Sequence, residues 1–397
     1  MTIRLRYGDK EMSWGMPVSA INLQDILDRM NVQNGREIEY KFSKYDMVDL
    51  PADVLDKWYK ADIYKLNVFA ERFQRLEGHQ KAGFKSVLMR NPDSSIDDMI
   101  AMTYCIDCVP VYPAAYAELG EIAIDNDMLP EIEECSDAVI GLLDYEKVGK
   151  LLAERDNGIF VDGYYCMPDS YEDPDISLTI EVPDKRFFRV LVSPSATTTD
   201  QAQWFNLPED IRRLREYSAE HNSTPERMYI TEVESVLPNI TDAAYYEAYW
   251  VEDMIALSEQ MTCMSNAQIV KLKAVMEAEN IQTFSGARET IDCLNEYDFD
   301  PMVQDEGQYG KVYACRVFQT NFDWSILEGC DMDDFGKQVL SRKHGELTEY
   351  GVLSGRGQKL YTTLTAESET MEEAEKLTED ESETEDESEK MSMGGIS

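Results

Sequence analysis

Carboxylates at helical spacing are the residues here with the clearest chemical capacity. Glu118, Glu121 and Asp125 recur at three- and four-residue steps, and Asp127 and Glu131 continue the row toward the pair Glu133-Glu134. Further acids cluster from Asp169 to Asp175, at Asp298 and Asp300 with Asp305 and Glu306, and at Asp331, Asp333 and Asp334. Such groups could serve acid–base catalysis, hold a cation, or present a ladder of negative charge. Catalysis and metal binding call for a matching His or basic neighbour, and none stands at a telling spacing. The three histidines, His79, His221 and His344, lie far apart, with no HExxH. His344 follows Arg342 and Lys343, where it caps a helix end or faces solvent. No catalytic residue, metal or cofactor is expected, and the chain reads as a non-enzyme.

The charge ladder is the use that the whole sequence supports. The chain has 397 residues with 78 Asp+Glu against 37 Lys+Arg, a net charge of −41. Between Glu367 and Lys390 lie 13 acids and 2 lysines, which leaves −30 on the first 366 residues. Self-repulsion on that scale works against a compact fold. A surface like this repels nucleic acid and membranes and attracts basic surfaces, of which DNA-binding proteins are the largest class. Acids three or four positions apart on a helix have Cβ atoms roughly 5–6 Å apart. Duplex DNA carries one charge per ~1.7 Å of axis, so the spacing is on the scale of neighbouring phosphates. Taken singly, each stretch reads as a solvated helix face. The functional case rests on their sum.

Other motifs carry less. Cys105 and Cys108 form a CxxC that suggests zinc or redox chemistry, but no second pair stands at zinc-site spacing. The pair reads as buried structural cysteines, and the eight cysteines together have the ordinary density of a reducing cytoplasm, where free Cys mostly acts as a small apolar residue. Residues 351–357 (GVLSGRG) lack the GK[ST] of a phosphate loop and read as a plain loop. Tyr245, Tyr246, Tyr249 and Trp250 read as core.

The elements that position these groups follow from composition and periodicity. At 43% hydrophobic and 10% aromatic, the body has material for cores. No segment approaches 18 apolar residues and the N-terminus has no apolar leader, so a cytoplasmic, soluble chain is expected. Residues 365–397 are Glu/Ser/Thr-rich and read as a disordered acidic tail.

A repeat organises the rest. At an offset of 188, Cys105-Ile106-Asp107 falls on Cys293-Leu294-Asn295, Pro113 on Pro301, Val87 on Val275, Leu76 on Met264 and Gly163 on Gly351. At 187, Leu50-Pro51 meets Leu237-Pro238, Asp144 meets Asp331, Gly149-Lys150 meets Gly336-Lys337, and Gly158 meets Gly345. Cys108 falls on Glu296, so the second copy loses the thiol pair. Read as turn markers, the glycines and prolines imply two copies of one architecture.

Each copy reads in three parts. Copy one has a small α+β piece over residues 1–60, a helical piece over 61–111 and a second α+β piece over 112–170. Copy two repeats them over 171–245, 246–299 and 300–364. The first piece holds strand IRLRYG, helix NLQDILDRM and strand REIEYKFSKY, with Ile38, Tyr40 and Phe42 at half-buried strand period. Its counterpart holds FFRVLVSP, LPEDIRRLREYSAEH and RMYITEVESV. Leu66, Phe69, Ala70, Phe73 and Leu76 predict a helix, as do Met254, Leu257, Met261 and Met264. Helices QKAGFKSVLMR and SIDDMIAMTYCI follow in copy one, and NAQIVKLKAVMEAE and GARETIDCLNEY in copy two. The third piece is read as YAELGEIAID and DYEKVGKLLAER helices with a strand around GIFVDGYYCM. Its counterpart is YGKVYACRVF, DMDDFGKQVLSRK and ELTEYGVLS. The expected class is α+β.

The run LNVFAERFQRL, a V-P-V-Y-P turn, E-L-G-E-I-A-I-D, L-L-D-Y-E-K-V-G-K-L-L and G-I-F-V-D-G-Y-Y, in that order, resembles the ArdA-type antirestriction proteins of mobile elements. The clearest match spans about residues 60–166, and a weaker one about 246–353. The resemblance implies an elongated three-part α+β protein. Similar in shape and charge to bent DNA, it would occupy the DNA-binding cleft of a Type I restriction-modification enzyme. Its acidic segment of the form D-Y-E-x-x-G-R-D stands here as Asp144, Tyr145, Glu146, Lys147, Val148, Gly149 and Lys150, and again as Asp331 to Lys337. Both copies have Lys for Arg, and the second loses the Tyr. The implied partner is that enzyme complex, without direct nucleic-acid or membrane binding, and the chain would be a monomeric pseudo-dimer or a homodimer. The alternative is an acidic adaptor for another basic, DNA-handling protein.

Overall fold

The computed structural model describes residues 2–8, 10–32, 38–42, 60–112, 115–133, 135–174, 186–195, 200–240, 250–318 and 324–364. The chain divides into two units, Met1–Asp184 and Lys185–Ser397. Each is mixed helix and small antiparallel sheet, the α+β class.

Unit one opens with a hairpin, β1 (Thr2–Tyr7) and β2 (Lys10–Gly15), in register from Thr2 opposite Gly15 to Tyr7 opposite Lys10. Gly8 takes φ +61° in the turn, a conformation that favours glycine. Helix α1 (Ala20–Arg29) starts where the Ser19 hydroxyl accepts the Asn22 N–H at 3.2 Å. It ends at Asn31 (φ +53°), where the Val32 N–H donates to the Leu27 carbonyl. Strand β3 (Ile38–Phe42) returns antiparallel to β1, and β4 (Lys60–Ala61) covers its far edge, giving the order β2-β1-β3-β4.

Three helices follow: α2 (Ile63–Arg75), α3 (Gly78–Arg90) and α4 (Ile96–Cys105). Reciprocal bonds between Ser95 and Asp98 set the start of α4. Ile3 and Leu5 of β1, Leu23 and Leu27 of α1, and Phe69, Phe84 and Ile100 of the helices share one core. Phe69 is fully buried, and truncating it to Ala would cost about 3–5 kcal/mol. After a 3-10 turn at Ile106–Cys108 come β5 (Val111–Tyr112), α5 (Tyr116–Asp125), α6 (Tyr145–Arg155) and the hairpin β6 (Ile159–Val161) and β7 (Tyr164–Cys166). Sheet order is β5-β7-β6. Leu119, Ala123, Val148, Leu152 and Tyr165 form its separate core.

Unit two runs β8 (Phe188–Ser193), β9 (Gln203–Leu207), α7 (Ile211–Glu220) and β10 (Tyr229–Ser235), in the order β10-β8-β9. The buried faces of β8 and β9 meet at Phe188 opposite Leu207 and Val190 opposite Phe205. Then come α8 (Trp250–Thr262), α9 (Asn266–Ala278), α10 (Phe284–Cys293) and a 3-10 turn at Leu294–Glu296. The unit closes with β11 (Phe299–Asp300), α11 (Glu306–Val317), α12 (Met332–Arg342), β12 (Glu346–Thr348) and β13 (Gly351–Leu353), in the order β11-β13-β12.

Several expectations are corrected. Strands β2 and β9 are absent from the sequence reading: QWFNL lacks a clean alternation of polar and apolar residues, and in KEMSWG only Met12 and Trp14 mark one. The single strand expected around GIFVDGYYCM is a hairpin turning at Asp162 (φ +50°) and Gly163 (φ +84°). The strand expected over ELTEYGVLS is likewise a hairpin, β12 and β13, so residues 351–353 are strand and not the loop that GVLSGRG also suggested. Gly149 and Gly336, read as turn markers, lie inside α6 and α12. Cys108, expected buried, is exposed. Leu50-Pro51, Pro113, the Glu133-Glu134 pair, Asp175, the side chains of β3, Tyr245, Tyr246, Tyr249, the Trp250 side chain and the tail from 365 lie outside the described residues.

Candidate partner-binding surface

Two glycine-mediated helix crossings hold the third part of each unit. A Cβ on Gly120 of α5 would sit 1.9 Å from the Tyr145 carbonyl oxygen. One on Gly149 of α6 would sit 1.9 Å from the Tyr116 carbonyl oxygen. In unit two, a Cβ on Gly310 of α11 would meet the Met332 oxygen at 2.6 Å, and one on Gly336 of α12 the Glu306 oxygen at 1.8 Å. Only glycine lets the backbones touch, so each pair is a tight scaffold for the side chains on its outer faces. Both second helices end alike. Asn157 (φ +57°) and His344 (φ +46°) take the left-handed conformation, and the next N–H, of Gly158 and Gly345, donates five residues back to Ala153 and Leu340.

On unit one, Glu118, Glu121, Asp125, Asp127, Glu131, Asp144 and Glu146 are all exposed. Glu118 also accepts the Ala115 N–H at the start of α5. Asp144 caps α6 by accepting the Lys147 N–H and pairs with the Lys147 ammonium at 3.2 Å, which holds its carboxyl below the ordinary value. Glu146 pairs with Lys150 at 2.5 Å and Glu131 with Arg155 at 3.5 Å. Among the described residues no cation lies within ion-pair distance of Glu121, Asp125 or Asp127. Among the described residues Asp331, Asp333 and Asp334 of unit two likewise have no cation within ion-pair distance, so the α5 edge is one of the acidic stretches whose charge is not offset locally.

Unit two treats its acids differently. Asp331, Asp333 and Asp334 are exposed, with Asp331 capping α12 by accepting the N–H groups of the other two. Asp300, expected on the surface, is 7% exposed. Its carboxylate accepts the Tyr361 hydroxyl at 2.6 Å and the Met302 N–H at 3.0 Å, and pairs with Arg316 at 3.2 Å. Burial and that bond to Asp300 drive the Tyr361 phenol well above its usual range. Asp298, also expected on the surface, is half-buried and accepts the Leu360 N–H at 3.1 Å. Both acids tie down the strap 354–362 after β13, where Leu360 is fully buried. The repulsive pressure on a carboxylate to stay outside is overcome by these donors.

The sequence reading missed an apolar element beside the α5–α6 acids. Leu142 is 85% exposed, and Val139, Tyr145, Leu151 and Tyr116 are exposed as well. Leu142 opens the quoted L-L-D-Y-E-K-V-G-K-L-L run ahead of α6, and Leu151 lies off the α6 buried positions Val148 and Leu152, which was the available signal. The positions matched to Leu142 and Leu151 at the 187 offset are Gly329 and Gln338. His344 is exposed, as expected. Among the described residues no group of His, Cys, Asp and Glu is arranged to hold a metal, and no helix is long and apolar enough to cross a membrane. No protein-family model, curated protein or solved structure matches the chain.

Proposed function

We propose that the chain is an acidic mimic of duplex DNA that occupies the DNA-binding cleft of a Type I restriction-modification enzyme, as the ArdA-type resemblance implies. The observation that carries this reading is the α5 edge. Glu121 and Asp125 stand exposed at helical spacing on a glycine-locked helix pair, with Asp127 exposed just past the helix end, all three without local counter-cations among the described residues. A rigid acidic surface binds a basic cleft by charge complementarity and by releasing the cleft's counterions, and needs no reacting atom. In this reading the chain is two tandem copies of one three-part unit. The matched element orders, sheet orders β2-β1-β3 and β9-β8-β10, and paired glycine crossings support it. A covalent pseudo-dimer would cover a long track with one chain. Sedimentation of the purified chain tests that corollary, and a dimer joined through both copies would remove it.

Competition tests the main proposal. The protein is titrated into a Type I methyltransferase core bound to labelled target DNA at two salt concentrations. Stoichiometric displacement that weakens steeply with salt is expected. Absence of displacement from several such enzymes would overturn it. One observation favours a second reading, an acidic adaptor for another DNA-handling protein. Leu142, Val139, Tyr145 and Leu151 add an apolar component to the acidic face that a phosphate mimic does not require.

A further inference from the structure

The thiol pair at the end of α4 is unlike anything at the matched place in unit two. Cys105 is the last residue of α4, and Cys108 closes the 3-10 turn that follows. Cys105 caps that turn (φ −128°, ψ 14°), and its thiol lies within side-chain hydrogen-bond reach of Cys108. Cys108 is exposed, whereas Cys105 is half-buried, with its sulfur 3.8 Å from the Ala101 and Met102 carbonyl oxygens and 3.9 Å from the Tyr171 hydroxyl. In unit two the corresponding turn has Cys293 and Glu296, and the Glu296 carboxylate holds Arg356 of the strap at 2.5 and 3.2 Å. A fixed ion pair thus occupies the position where unit one has an accessible thiol.

We propose that Cys105 and Cys108 form a thiol-modification site that reacts with low-molecular-weight disulfides and closes to an internal disulfide. Cys108 is the entry point because it is the exposed member. Its thiolate, after losing a proton to solvent, attacks one sulfur of the external disulfide and expels one thiolate, which takes up a proton. Cys105 then loses its proton and attacks the Cys108 sulfur of the mixed disulfide, expelling the second small thiol. Two protein thiols are oxidised, one external disulfide is reduced to two thiols, and no other reactant is needed. Burial raises the Cys105 thiol above its ordinary value, so the closing step is the slower one. The site is independent of the DNA-mimic reading.

The test uses the full chain under native conditions. It is equilibrated with oxidised glutathione, quenched by alkylation and digested for mass spectrometry. The peptide holding Cys105 and Cys108 is expected lighter than its dithiol form by two hydrogens. Cys263, Cys315 and Cys330 are exposed single thiols, expected to carry glutathione as mixed disulfides. In Cys105→Ser, Cys108 should instead hold a stable glutathione adduct. A wild-type peptide that carries glutathione on Cys108 to the same extent as Cys315, with no internal link, would overturn the proposal. So would a Cys108→Ser protein in which Cys105 reacts as fast as Cys263.

Discussion

Residues 112–170 and 300–364 share an order of elements but spend their carboxylates in opposite ways. The first stretch has 14 acids and 3 cations, the second 10 acids and 7 cations. In the first, Lys147, Lys150 and Arg155 each pair with an acid, and the α5 edge is left facing solvent with its charge intact. In the second, Asp300 and Asp298 turn inward to hold the strap. A carboxylate can be part of an outward field or part of an internal tie, and burial with a set of donors separates the two. On the proposed reading, the outward field of unit one is the first place to look for partner binding, while Asp298 and Asp300 of unit two are structural anchors.

The largest effects should come from the feature that both regions share. Gly149→Val and Gly336→Val each place a side chain against a backbone oxygen less than 2 Å from the new Cβ. Each should destabilise its unit by about 3 kcal/mol, the upper range for overpacking. By contrast, Gly163→Ala meets no atom within 4 Å and suffers only its φ of +84°, a cost of about 1–2 kcal/mol. Urea denaturation of the three variants checks the ranking. If Gly336→Val were tolerated while Gly149→Val was not, the two crossings would not be equivalent and the duplication would lose its best support.

Next comes the buried tie. Asp300→Ala strands the Tyr361 hydroxyl and the Arg316 guanidinium, and should cost about 2 kcal/mol of stability. Asp125→Ala removes an exposed acid and should stay within about 0.5 kcal/mol of wild type. Equal losses in urea would erase the distinction between field and tie. Binding reverses the order. The combined Glu121→Gln, Asp125→Asn and Asp127→Asn change should weaken competition for the methyltransferase core about tenfold at low salt, or about 1.4 kcal/mol. Asp333→Asn with Asp334→Asn should weaken it by less than about threefold. A larger effect from the second pair would move the gripping surface to unit two.

This contrast was only half legible in the sequence. Helices α2 and α8 declared themselves through the apolar periodicity of Leu66 to Leu76 and of Met254 to Met264. The acids on α5 were readable because a helix fixes their spacing locally. The inward turn of Asp300 was not, because its partner Tyr361 stands 61 positions downstream and nothing near Asp300 announces it. Gly149 and Gly336 were found by the offset but misread, since glycine serves both turns and close helix contacts. Edge strands β2 and β9 escaped because six and five residues leave too few repeats for a period to stand out.

The smallest prediction probes the anchoring acids directly. Asp144 in unit one and Glu296 in unit two are both fully exposed, and both carboxyls are held below their ordinary values. Hydrogen bonds from Lys147 do this for Asp144, and those from Arg356 do it for Glu296. A folded-state value below the unfolded one means that the charged carboxylate is favoured in the fold. The resulting stabilisation is therefore complete above the ordinary values of 3.8 and 4.5, and is lost as pH falls through the lower folded values. Carbon-detected NMR titration should place each inflection below its ordinary value in wild type. Lys147→Met and Arg356→Met should return the inflections upward, each acting only on its own acid. At about 1 M salt the Debye length is ~3 Å, so both shifts should shrink in the wild type. A Glu296 inflection unmoved by Arg356→Met would mean that the ion pair does not secure the strap. The contrast with the thiol pair at the matching turn of unit one would then have no structural basis.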